Sequence, residues 1–154
     1  MSQKPATLNN FSKQYLNQTS GETILLTLWI GGLWIVGFLV TPTLFGNLDD
    51  RQLAGMLAGK MFTVISYIGL FCGSVLLLTE WRRAEVIKRS FNFWLLVAML
   101  FLVLVGEFVI QPQMAALKLA GLATGAEFSR LHGIASALYM LNCLLGLVLI
   151  LRQR

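Results

Sequence analysis

The chain has 154 residues, of which 56% are hydrophobic and only 12% charged, and its formal net charge is +5. Soluble domains carry about 25% charged residues, so an ordinary soluble domain is excluded. A disordered chain, which would be poor in apolar residues, is excluded with it.

Taken in chain order, residues 1–22 form a polar arm with Lys4 and Lys13. Its Leu8, Phe11, Tyr15 and Leu16 fall at helical spacing and predict an amphipathic helix on the inner membrane surface. Thr19 and Glu22 have capping-box spacing and would start the first span. Ile24–Phe45 then runs 22 residues without a charge and ends in Thr-Pro-Thr-Leu-Phe. A cleaved signal has a shorter apolar core and small residues at its cut site, so this run is read as a retained span. Met61–Thr79 gives 19 uncharged residues, Phe91–Ile110 gives 20 with the single acid Glu107, and Leu131–Leu151 gives 21 with the single histidine His132. Each is long enough to cross a hydrocarbon core of about 30 Å. Backbone amides in lipid must be satisfied within their own segment, so each is predicted to be a helix. Residues 23–154 make one four-span membrane domain.

The chain resembles itself at an offset of 70. Phe38-Leu39-Val40-Thr41-Pro42-Thr43-Leu44 lies over Phe108-Val109-Ile110-Gln111-Pro112-Gln113-Met114. Without a gap, Gly55 then lies over Gly125, Lys60 over Arg130 and Ser66 over Ser136. Spans one and three both run outward, so the halves are parallel repeats about an axis along the membrane normal. The expected fold is an all-α membrane protein, a four-transmembrane-helix bundle of two parallel pseudo-symmetric helical hairpins. Pro42 and Pro112 should bend or stop their spans. The segments after them, with Leu48, Met56 and Leu57 in one half and Met114, Leu117 and Gly121 in the other, are expected to form short amphipathic outer helices.

Basic residues orient the bundle. The arm, the 82–89 connection and the tail hold Lys4, Lys13, Arg82, Arg83, Lys88, Arg89, Arg152 and Arg154. Arg51, Lys60, Lys118 and Arg130 fall on the other side. The excess marks the cytoplasmic face, which puts both termini in the cytoplasm and makes the positive charge topological rather than a nucleic-acid patch.

Few residues carry chemistry. A carboxylate within a span is expensive, and Glu107 is either a pocket or proton site or a paired structural acid. Its repeat counterpart is Gly37. By depth, Glu107, His132, Arg130 and Gln111 gather at the outer end of the third and fourth spans, either as a binding pocket or as a structural Glu–His or Glu–Arg pair. Asn142 is read as helix glue through a hydrogen bond. Gly32, Gly37 and the Gly69-x-x-x-Gly73 pair permit close helix contact, within the chain or in a homodimer. Cys72 and Cys143 are mid-span packing thiols without zinc spacing. There is no second histidine for bis-His haem, and methionine-based copper(I) ligation is not favoured. No metal, cofactor or catalytic residue is expected, and the chain is not read as an enzyme.

Trp29-Ile30-Gly31-Gly32-Leu33-Trp34, Gly37 and Val40-Thr41-Pro42-Thr43-Leu44-Phe45 resemble the opening motif of the bacterial transmembrane-protein-205-like family, domain of unknown function 4149. Phe128-Ser129-Arg130-Leu131-His132-Gly133, continuing to Ser136 and Asn142, is similar to its closing motif. The resemblance implies a four-span membrane protein and no catalytic residues. Copper-resistance inner-membrane proteins are similar in general style but richer in histidine. The resulting expectation is a multi-pass protein of the bacterial inner membrane. It would bind or transport a small solute or cation through the outer pocket. The alternative is a non-catalytic accessory or assembly subunit. Its partners would be the lipid bilayer and a second copy or a larger membrane complex.

Overall fold

The computed structural model describes residues 20–83 and 91–152. The amphipathic arm, most of the 82–89 connection and Arg154 lie outside the described residues. Within them, four helices are long and apolar enough to cross a membrane. They are α1 (Ser20–Asn47), α2 (Arg51–Arg83), α3 (Phe91–Leu119) and α4 (Ala126–Arg152). Only 22–33% of the most apolar window of each is buried inside the protein. The remaining apolar surface needs lipid against it, because water would charge about 25 cal/mol for every Å² left exposed.

Each helix packs on its chain neighbours, and α4 returns to α1, so the four form an all-α bundle. The end carrying Arg51, Lys60, Lys118 and Arg130 is termed outer. At the inner end, the Arg152 guanidinium lies 4.3 Å from the centre of the Phe91 ring, tying the end of α4 to the start of α3.

The helices overrun the apolar spans. α2 has 33 residues, about 50 Å by helical rise, and begins at Arg51 rather than at Met61. Hydropathy marks where lipid is needed, whereas intrahelical hydrogen bonding continues past that boundary. The outer segments are helical and continue the spans end-on. Asp50 caps α2: its Oδ1 accepts from the backbone N–H of Gln52 at 2.8 Å and of Leu53 at 3.2 Å.

Neither proline stops its helix. In α1 a π-helical turn, Val36–Val40, comes immediately before Thr41-Pro42. In α3 the π-helical turn Val105–Ile110 comes immediately before Gln111-Pro112. A proline ring collides with the carbonyl four residues back and removes one donor; a widened turn relieves the collision. Side chains after each proline bond carbonyls within the π turn. Thr43 Oγ1 donates to the Leu39 carbonyl at 2.7 Å, and Gln113 Nε2 donates to the Val109 carbonyl at 2.8 Å. These pairs are related by the offset of 70. Thr41 Oγ1 adds a bond to the Val36 carbonyl at 2.9 Å.

The core is built on Trp29, Ile30, Cys72, Met99, Cys143 and Leu149, all fully buried. Both cysteines are free thiols. Gly69 and Gly73 form the slot for the Trp29 indole. A Cβ at Gly73 would fall 2.8 Å from Trp29 Cζ3 and 2.7 Å from Leu100 Cδ2, and one at Gly69 would strike Trp29 Nε1. The pair that also suited a dimer face is filled from within the chain. Gly32 likewise faces Ile65, and a Cβ at Gly37 would fall 2.6 Å from Tyr139 Cε1. Gly37 is therefore required by Tyr139, whose hydroxyl donates to the Leu33 carbonyl. Asn142 is buried, yet its Oδ1 accepts no hydrogen bond among the described residues, so an interhelical bond to that oxygen is not made there.

Candidate functional site at the outer end

Glu107 lies on the π-helical turn of α3, half-buried, one turn below Gln111. Single π turns recur at functional positions because they displace one side chain from the regular helical stripe. Among the described residues Glu107 makes no hydrogen bond or ion pair with His132 or Arg130. His132 is exposed on α4 and stacks on Phe128, with ring centroids 6.2 Å apart and planes 10° from parallel. Arg130 is exposed beside it. Of the four residues grouped by depth, Gln111 lines a cavity whose lining does not include Glu107, Arg130 or His132.

That cavity is a groove of about 460 Å³ between the outer parts of α2 and α3. α2 contributes Met56, Gly59, Lys60, Thr63 and Val64; α3 contributes Gln111, Ala115 and Lys118. Lys118 spans the structure around it. Its Nζ donates to the Gly55 carbonyl at 3.4 Å and sits 5.7 Å from the centre of the Phe128 ring. Phe128 thus joins Lys118 on the groove to His132 outside it. Gln111 and Lys118 both reach over Gly59: a Cβ there would lie 3.6 Å from Gln111 Nε2 and 3.8 Å from Lys118 Nζ, ordinary contact distances.

The turn after α3 delivers Lys118 to this place. Leu122 N–H bonds the Leu117 carbonyl at 2.9 Å and Gly121 N–H bonds the Lys118 carbonyl at 3.1 Å, the paired bonds of a Schellman cap. Gly121 supplies the φ of +73° that this cap needs.

The family profile "Domain of unknown function (DUF4149)" matches residues 24–123. The chain belongs to this family. Every residue lining the groove falls inside the DUF4149 match, as do Glu107, Pro42 and Pro112. His132, Arg130 and Asn142, on α4, fall beyond it. No curated protein and no solved structure gives a significant match. The DUF4149 chain is a polytopic membrane protein, with four apolar helices in the described residues.

The sequence did not single out Lys60 or Lys118 as candidate site residues: Lys118 counted as topological charge, and Lys60 as topological charge and a match in the repeat. The available signal was position: Lys60 directly precedes an apolar run, and Lys118 interrupts the apolar continuation of α3. Sequence reasoning also missed a small inner-end cavity of about 10 Å³, where Glu22 and Glu80 meet Thr79. Among the described residues no three His, Cys, Asp or Glu side chains gather as a metal site.

Proposed function

We propose that this DUF4149 protein is a membrane-embedded binding or transport module that takes a small ligand in the outer groove between α2 and α3. The supporting observation is the groove itself. Its volume of about 460 Å³ lies in the range of small-molecule sites, roughly 300–1,000 Å³, and Gln111, Lys60 and Lys118 supply a few polar groups on apolar walls. The two lysines favour a neutral or anionic ligand over a cation at this position. Glu107, one turn deeper on a π turn, is the group through which occupancy of the groove couples to the bundle. The membrane is the bacterial inner membrane, with both chain ends in the cytoplasm, as the basic residues argue.

The test is thermal unfolding of the detergent-solubilised chain against a panel of neutral, anionic and cationic ligands, repeated with Ala115→Trp. At least one neutral or anionic ligand should raise the unfolding temperature of the native chain and not of the variant. Glu107→Gln should weaken that response while the helical content is retained. Protection by cations alone, or equal protection of Ala115→Trp, would remove the groove as the site.

A further inference from the structure

We propose that the occupant of the groove is an anionic phospholipid of the outer leaflet, its phosphate held by Lys60, Lys118 and Gln111 and an acyl chain lying on the apolar floor. The inference rests on the groove reading above and names its ligand.

Depth along the groove follows from helix direction. α2 runs inward from Arg51, so Val64 lies about 6 Å deeper than Lys60. α3 runs outward, so Ala115 lies about one turn deeper than Lys118. Each lysine therefore has an apolar lining residue deeper on its own helix, while Met56 lies outward of Lys60 and Gln111 is the deepest lining residue on α3. Lys60 stands at the outer boundary of the uncharged run that starts at Met61, which is interfacial depth. Donors also converge within the groove. Gln111 Nε2 and Lys118 Nζ both close on Gly59, next to Lys60. Neither lysine forms an ion pair with a carboxylate among the described residues, so the local positive charge is uncompensated there. Basic pockets between membrane helices recognise anionic headgroups on these terms. The groove is open along its flank. Val64 is 51% exposed and Met56 46% exposed, and Ala115 is exposed. A soluble anion would satisfy the lysines and leave that floor uncovered. A phospholipid covers both.

The experiment uses the full chain in detergent, with phosphatidylglycerol, phosphatidylcholine and inorganic phosphate as probes. Native mass spectrometry reads lipid adducts and thermal unfolding reads protection. Phosphatidylglycerol should bind roughly tenfold or more tightly than phosphatidylcholine. The Lys60→Gln/Lys118→Gln double variant should bring the two lipids to parity, with lipid-free helicity unchanged. Ala115→Trp should weaken both. If the double variant does not fold, Lys60→Gln, at an exposed position, carries the same comparison. Equal binding of the two lipids to the native chain, or a preference that survives loss of the lysines, overturns the proposal. Protection by inorganic phosphate as strong as by phosphatidylglycerol also overturns it, and leaves the groove reading standing. Failure of the groove reading is separate: no ligand of the wider panel would then distinguish the native chain from Ala115→Trp.

Discussion

Trp29 shows how a single large side chain sets the centre of a bundle. The indole is fully buried, and two glycines one helical turn apart on α2 make the space for it. Inserting a methyl group into such a contact costs about 1–3 kcal/mol, because neither backbone nor indole has room to retreat. Gly69→Ala should therefore lower the unfolding temperature in detergent, with the oligomeric mass unchanged. A lost oligomer at unchanged stability would instead make the glycine pair a contact between copies. Asn142 poses the opposite case. A buried amide oxygen without a donor carries a desolvation penalty of about 1–3 kcal/mol, which an apolar side chain of similar size removes. Asn142→Leu is expected to raise the unfolding temperature; a fall would show that Asn142 acquires a donor in the bilayer.

At the scale of the element, the two proline-containing helices solve one problem in one way. Each widens into a π turn before the proline, and each recruits the residue after it to bond the carbonyl four positions earlier. The two hydrogen bonds keep the offset of 70, and the π turns end at equivalent positions, although the one in α3 starts a residue earlier and is six residues long against five. Thr43→Val and Gln113→Leu should each cost about 0.6 kcal/mol, the usual worth of a side-chain hydrogen bond within a bilayer. The sites are on different helices, so the double variant should give the sum. Calorimetry or urea unfolding of the three variants checks both statements, and a cost at only one site would argue against equivalent repeats. The α3–α4 turn depends on Gly121 in the left-handed region, where a Cβ costs about 1–2 kcal/mol. Gly121→Ala should destabilise by that amount and, by moving Lys118, also weaken ligand binding in the outer groove.

At the scale of the molecule, an even number of spans puts residues 20 and 152 at the same end of the bundle. Arg82 and Arg152 lie at that end, and Arg51, Lys60, Lys118 and Arg130 at the other. If the inner end faces the cytoplasm, a cytoplasmic-active reporter fused after Arg154 is active, and an exported alkaline phosphatase at the same point is silent. The reverse pattern would invert the bundle and put the groove in the inner leaflet.

Burial of long apolar runs is a property of local sequence, so the four helices, their order and their membrane setting were legible without coordinates. The proline motifs were legible too, as places where each span should bend or stop; the stop is not made, and a π turn precedes each proline instead. Depth along the membrane was readable as well, because helical rise is fixed; it put Glu107, Gln111, Arg130 and His132 at one level. Azimuth was not readable. Each helix is apolar nearly all round, so no stripe in the sequence tells the face toward a neighbour from the face toward lipid. Only packing decided that Gly69 and Gly73 receive Trp29, that Gly37 makes way for Tyr139, and that His132 stacks on Phe128. The same packing turns Gln111 into a groove beside Lys60 and Lys118. Those two lysines are 58 residues apart in the chain and become neighbours only where α2 and α3 lie side by side.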